Sequence, residues 1–222
     1  MATIAPAGRL ETARTAMIES QLMPCGVVEP RLVAAFHAVP RERFVAPGRE
    51  PLAYVDADQP IAPGRAMASP LTLGRLLQLA ELREGEQALV VGAGTGYSSA
   101  LMAEMGARVV ALEAEPGLAA RARRELAGYP GVRVVEGPLE AGFAEAAPHD
   151  LIFIDSAVEH VPDALVEQLA PEGRMVLVLA GKDGVHRVAS GVRSHMGLSY
   201  DLVAEAPAPV LETFRIPPAF QF

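Results

Sequence analysis

The spacing of apolar positions changes character partway along the chain. Before residue 87 it is helical. Leu10 to Leu22 predicts an amphipathic helix ended by Pro24 and Gly26. Glu29 to Ala38 predicts a second, with Pro30 in its first turn and Pro40 after it. Leu71 to Leu82 predicts a third, with Ser69 as N-cap and Pro70 at the first helical position. Arg41 to Pro70 is rich in proline and glycine, which resists long helices and central strands. It is long for a passive connection and reads as a functional loop.

From Gln87 onward, short apolar, β-branched runs alternate with helical segments. Strands are predicted at 87–91, 108–112, 132–135, 151–154 and 174–179, and helices at 97–105, 116–127 and 161–169. Such strands suit a sheet covered on both faces. Their alternation with helices implies right-handed crossovers and a parallel sheet. Two further strands, near 185–190 and 198–205, are expected to form an antiparallel edge. In such a sheet the ligand lies beyond the carboxyl ends of the strands, where the strand order reverses. The chemistry therefore belongs to the loops 92–97, 113–115, 137–139 and 155–156, with the Pro-rich segment as their lid.

The first of these loops carries the strongest signal. The apolar run Ala88-Leu89-Val90-Val91 ends in Gly92-Ala93-Gly94-Thr95-Gly96-Tyr97, and a helix follows. Alternate glycines let the backbone turn sharply and approach a ligand closely. Glu113 stands at the end of the next apolar run, where a carboxylate can accept both hydroxyls of a ribose. The pair reads as a site for an adenosine-containing cofactor. The G-x-G-x-G spacing differs from the G-x-G-x-x-G of dinucleotide binders. A tight strand-to-helix turn without a ligand is the plainer alternative.

Composition narrows the partners. A chain of 222 residues, half of them hydrophobic, can bury one good α/β core. A formal charge of −8 removes any sequence-wide attraction to nucleic acid. Of 19 basic residues only Lys182 is lysine, the bias of a GC-rich bacterial genome. The single cysteine, Cys25, excludes an intrachain disulfide and fits a reducing, cytoplasmic compartment. Met1 to Arg9 lacks the pattern of a signal peptide, and no apolar run is long enough to span a membrane. The histidines show no metal-ligand spacing, so no metal site is expected.

Longer blocks carry a family resemblance. Met17-Ile18-Glu19-Ser20-Gln21-Leu22, Val39-Pro40-Arg41-Glu42-Arg43-Phe44-Val45 and Ala53-Tyr54-Val55-Asp56 precede the glycine loop. His160-Val161-Pro162, Glu167-Gln168-Leu169 with Gly173-Arg174, and Phe214-Arg215-Ile216-Pro217 follow it. Together they resemble the protein-L-isoaspartate O-methyltransferases over most of the chain. The resemblance implies a Rossmann-like fold, a mostly parallel sheet with an antiparallel C-terminal edge and an N-terminal helical extension. It implies one domain over 1–222: helices and lid in 1–70, the cofactor-binding core in 71–190, a C-terminal strand and tail in 191–222. It also implies S-adenosylmethionine as cofactor and an isoaspartyl-containing protein or peptide as substrate, methylated on its free carboxylate for repair. Carried over position by position, Gly92, Ala93, Gly94, Gly96, Tyr97, Glu113, Gly137, Pro138, Leu139 and Asp155 become the cofactor contacts.

The departures from that family fall at working positions. Its lid motif Gln-Thr-Ile-Ser-x-Pro carries hydroxyls for the substrate carboxylate, whereas Arg65-Ala66-Met67-Ala68-Ser69-Pro70 stands here. The catalytic expectation moves to Ser69, with N-capping as its competing role, and to Arg65, as an anion clamp or an exposed arginine. Val90 replaces an acid, and Pro138 replaces the aspartate expected at the adenine amine, with Glu136 and Glu140 as neighbouring substitutes. Asp155 is an acid gained, facing the cleft or belonging to a capping box with Ser156 to Glu159. Three outcomes are open: repair methylation, methylation of another acceptor, or a relative that has lost catalysis and serves as an interaction protein.

Overall fold

The computed structural model describes residues 7–194 and 197–216. The start of the N-terminal segment, residues 1–6, and Pro217 of the C-terminal block lie outside them. Helix α1 (Ala7–Met17) runs into a π-helical turn over Ile18–Leu22, so the first helix starts earlier and ends less regularly than its pattern predicts. Helix α2 (Pro30–Ala38) has Glu29 as N-cap, its carboxylate accepting from the N–H of Leu32 at 2.5 Å. Pro40 then prevents continuation.

The Pro-rich segment holds more order than its composition implied. Strands β1 (Gln59–Ala62) and β2 (Arg65–Met67) form a two-stranded antiparallel hairpin. Pro63-Gly64 makes the turn, with Gly64 at φ +69°. That dipeptide between Ile61 and Met67 was the available signal for the hairpin. The hairpin pairs with no strand of the main sheet. Side chains hold its base: Asp58 accepts from the N–H of Ser69 at 2.8 Å, and Asp56 from that of Leu71 at 3.0 Å.

Helix α3 (Pro70–Ala80) leads into the main sheet: β3 (Gln87–Val91), β4 (Arg108–Glu113), β5 (Val132–Glu136), β6 (His149–Val158), β7 (Leu169–Ala180), β8 (His186–Ser194) and β9 (Gly197–Glu205). Helices α4 (Tyr97–Glu104), α5 (Pro116–Glu125) and α6 (Asp163–Glu167) lie on the crossovers. The strand order is β5-β4-β3-β6-β7-β8-β9, parallel through β7 and antiparallel beyond. This is the expected α/β fold with its antiparallel edge. The order reverses between β3 and β6, which places the ligand crevice at their carboxyl ends.

Two boundaries needed correction. The helix expected over 161–169 is only Asp163–Glu167, because Leu169 already pairs with His149 in the sheet. Gln168 fixes this exit, its amide donating to the carbonyls of Ala141 and Ala164. Strand β6 runs on to Val158 through an irregularity between Phe153 and Ala157. A bulge of this kind re-aims side chains at a strand tip, and Asp155 lies within it.

Alternation along β3 sets the core. Leu89 and Val91 face one cluster, with Ile152, Leu177, Leu211 and Phe214. Ala88 and Val90 face the other, with Leu76, Leu101, Val176 and the N-terminal residues Met17, Leu32 and Phe36. The N-terminal helices therefore share an apolar cluster with the sheet. Calorimetric heating is expected to show one cooperative transition for the whole chain. Two resolved transitions would make the N-terminal segment a separate unit.

Candidate functional site

Strand β3 delivers the glycine turn. Gly92, Gly94 and Gly96 sit at φ +74°, +57° and +99°, conformations that side chains rarely adopt. A Cβ on Gly94 would lie 2.8 Å from Ile61 of the hairpin. The N–H groups of Gly92 and Ala93 both donate to the carbonyl of Leu112, at 2.9 and 3.0 Å. These bonds fasten the turn to the tip of β4, where Glu113 follows.

Glu113 is completely buried. Its Oε1 accepts from the backbone N–H of Ala114 and of Glu115, each at 3.0 Å, and its Oε2 from that of Gly94 at 2.7 Å. Arg65 completes the shell with a two-pronged bond, Nη1 to Oε1 at 2.6 Å and Nη2 to Oε2 at 2.8 Å. Nη2 also reaches the carbonyl of Gly92 at 3.2 Å. Arg65 thus grips this chain's own carboxylate.

Asp155 faces the same space. Ser98 donates to it at 2.5 Å from the first turn of α4. The capping-box alternative has no support in the geometry: Ser156 donates instead to the carbonyl of Pro209 at 2.6 Å, and α6 is preceded by Pro162. Burial pushes the Asp155 carboxyl up to about 6, against the Ser98 bond and the charges of Arg65 and Arg41, while Glu113 adds to the rise.

Arg41 lies beside the site, with a burial that the sequence did not reveal. It is fully buried, donating from Nε to the carbonyl of Ala53 at 2.8 Å and from Nη2 to that of Ala68 at 2.6 Å. Its guanidinium lies 5.0 Å from the centre of the Tyr97 ring, a cation–π arrangement. Desolvation lowers its pKa. Arg41 therefore joins the first residue of α4 to the strand end of the hairpin. Its signal was a charged block, Arg41-Glu42-Arg43, framed by the apolar Val39, Phe44 and Val45.

The other expected residues are spread differently. The hydroxyl of Ser69 accepts from the N–H of Thr72 at 3.3 Å as the N-cap of α3. It lines a separate cavity with Asp56, Asp58 and Pro207. Gly137 donates to the carbonyl of Glu113 at 3.1 Å, and Pro138 introduces a short turn that buries Leu139. Leu139 and Leu211 flank Gly92 as an apolar wall. Glu136 pairs with Arg123 at 3.6 Å near the surface, and Glu140 accepts from Thr213 at 3.0 Å. No cluster of metal-ligating residues occurs among the described residues.

The turn and the hairpin leave between them only about 10 Å³, bounded by Ile61, Ala66, Met67, Gly92, Thr95, Tyr97 and Asp155. That is room for about one water. A roomier cavity of about 720 Å³, between Glu159, Lys182, His186 and Arg215, touches neither the glycine turn nor Glu113 nor Asp155. The chemistry of the strand tips still fits an adenosine ligand: a buried carboxylate at the tip of β4, a glycine turn beside it, and a Thr95 hydroxyl that is buried without a partner. The hairpin fills the space such a ligand needs.

The Asp155 environment has a pH signature. A carboxyl bound more tightly to its proton in the folded state lends stability at low pH, and loses it as pH rises through its folded value. The window runs from about 3.8, the ordinary value, to about 6. Full ionisation costs at most roughly 3 kcal/mol, less to the extent that solvent reaches the carboxyl. Asp155→Asn should therefore stabilise the protein at pH 8 and leave it nearly unchanged at pH 4 in urea unfolding. An equal effect at both pH values would refute the partly buried, proton-holding carboxyl.

Known proteins resemble this chain in sequence and in fold. The family model described as protein-L-isoaspartate(D-aspartate) O-methyltransferase matches residues 12–193. A protein-L-isoaspartate O-methyltransferase from Gloeobacter violaceus is 36% identical over 184 residues, covering 82% of this chain and 90% of that relative. One from Aeropyrum pernix is 44% identical over 178 residues, covering 77% and 68%. Among solved structures, a protein-L-isoaspartate O-methyltransferase superposes with a TM-score of 0.76 at 22% identity, covering 91% of this chain and 65% of that one. A Plasmodium falciparum protein described under the same activity, in complex with S-adenosyl-L-homocysteine, gives 0.77 at 18%, covering 90% and 98%. At those identities the structural matches speak for the fold. The sequence matches speak for descent: the chain belongs to the protein-L-isoaspartate O-methyltransferase family.

Proposed function

We propose that this chain transfers a methyl group from S-adenosylmethionine to the free carboxylate of isoaspartyl residues in proteins or peptides. Family membership makes it an S-adenosylmethionine-dependent methyltransferase. The observation that carries the assignment of the site is the buried Glu113 carboxylate beside the glycine turn, at the point where the strand order reverses. Glu113 would hold the ribose hydroxyls, the backbone of Gly92 to Gly96 the middle of the cofactor, and Leu139 the flank of the adenine. Asp155 and the Thr95 hydroxyl would face its amino-acid end. The single cysteine and the Arg/Ala bias support a cytoplasmic, bacterial setting.

The reaction asks little of side chains. Bound S-adenosylmethionine supplies an already electrophilic methyl group on a sulfonium. The substrate carboxylate is ionised at neutral pH and needs no base. Transfer would join one carboxylate oxygen to the methyl carbon as the carbon–sulfur bond breaks, with no proton for a side chain to move. The protein contributes alignment at near-attack distance and exclusion of water. Ile61, Ala66 and Met67 on the hairpin form the apolar cover over the turn.

Alignment is where this chain is poorly equipped. Ala66 lines the cleft without a hydroxyl, and the carbonyl of Ala68 is already committed to Arg41. Hydrogen bonds to a charged group contribute roughly 1.5–3 kcal/mol each, so absent contacts lower the rate by orders of magnitude. The outcome expected is measurable cofactor binding with slow methylation of an isoaspartyl peptide. The double variant Ala66→Thr, Ala68→Ser should be faster. Rapid turnover by the parent chain would falsify the impairment.

Cofactor binding is tested apart from turnover. Replacing Glu113 with Ala should weaken S-adenosylhomocysteine binding by about 1–3 kcal/mol in calorimetric titration. Gly94→Val should abolish it, because a branched side chain would enter the closest approach of backbone and ligand. If both variants bind like the parent, the cofactor site is elsewhere.

A further inference from the structure

We propose that Arg65 is a latch that exchanges carboxylates. It holds Glu113 in the free protein, gives way to the cofactor's ribose, and then receives the carboxylate of the substrate. The inference rests on the proposed cofactor site and adds an order to it: cofactor first, substrate second.

The donor count at Glu113 carries the argument. Two carboxylate oxygens offer about four lone-pair sites. Five N–H contacts already occupy them: three from the backbone of Gly94, Ala114 and Glu115, and two from Arg65. No capacity remains for ribose hydroxyls while Arg65 is in place. The three backbone donors belong to the turn and strand tip and cannot leave without unfolding them. The two Arg65 donors sit on a hairpin that forms its own two-stranded sheet and has no backbone pairing with the main sheet. Two vicinal hydroxyls would restore the two donors that Arg65 withdraws. The same movement takes Ile61 away from Gly94 and opens the space that the closed form lacks.

Release leaves a guanidinium over the cleft mouth beside Ala66, where the hydroxyls expected for the substrate are missing. Its planar fork suits a carboxylate. Before release that fork is fully engaged, so the free protein offers the substrate no such site. A cation of this kind stabilises the bound carboxylate at least as much as the transition state, in which the negative charge is being neutralised. Its contribution therefore falls on substrate binding rather than on kcat.

Calorimetric titration with S-adenosylhomocysteine tests the first half. Arg65→Ala should bind at least tenfold more tightly than the parent, because no latch competes. Arg65→Lys, which keeps the charge and loses the fork, should fall between them, and serves alone if the alanine variant does not fold. Parent-like or weaker binding by the variants overturns the latch while leaving the cofactor site intact. Absence of binding by parent and variants alike overturns the proposed function and the latch together. Steady-state kinetics tests the second half. Arg65→Ala should raise KM for an isoaspartyl peptide at least tenfold with kcat within about twofold. An unchanged KM, or a loss confined to kcat, overturns the exchange.

Discussion

A single buried carboxylate organises this cleft. Glu113 cannot sit ionised in the interior unless its charge is met by donors, since unpaired burial costs several kcal/mol. The fold meets it with three backbone N–H groups whose positions depend on the turn after β3 and the end of β4. The turn in turn needs positive φ at Gly92, Gly94 and Gly96. Strand register, glycine conformation and the acid are therefore one requirement. The fourth face of the carboxylate is closed by Arg65, and this brings a hairpin from outside the sheet into the same unit.

Arg41 carries the complementary constraint. Its two engaged nitrogens reach Ala53 and Ala68, on either side of the hairpin, while its plane lies near Tyr97 at the start of α4. The tilted Phe44–Tyr97 contact, with ring centroids 5.3 Å apart, packs beside it. The hairpin thus has a fixed root, set by Arg41 with Asp56 and Asp58, and a tip whose charged attachment is Arg65 on Glu113. That division suits a cover that swings at its tip without loosening the core.

The fold was legible from Gln87 onward because its signals are local: a β-branched run, a glycine turn, a helix, and an acid at the next strand tip. What escaped was non-local. Arg65 and Glu113 stand 48 positions apart, and no periodicity connects a proline-rich loop to a strand end. Asp155 looked equally like a helix cap, because the bulge in β6 exists only in the register against β7. Ser69 was legible in its plainer role, since a serine before proline and an apolar run is a local N-cap. Arg41 was hidden because burial of an arginine depends on carbonyls supplied by Ala53 and Ala68.

Charge balance explains why a latch can open at all. Two acids, Glu113 and Asp155, and two arginines, Arg65 and Arg41, are gathered about the closed cleft. Withdrawing Arg65 alone would leave an excess of buried negative charge, which the low-polarity interior resists. At neutral pH S-adenosylmethionine carries a sulfonium, an ammonium and a carboxylate, for a net charge of +1, so its entry replaces the charge that Arg65 removes. After methyl transfer the sulfonium is gone and the product is neutral. The cleft then regains its excess of negative charge, and Glu113 again favours Arg65. On the proposed exchange, the pair of Arg65 with Glu113 would therefore favour release of the spent cofactor over its retention.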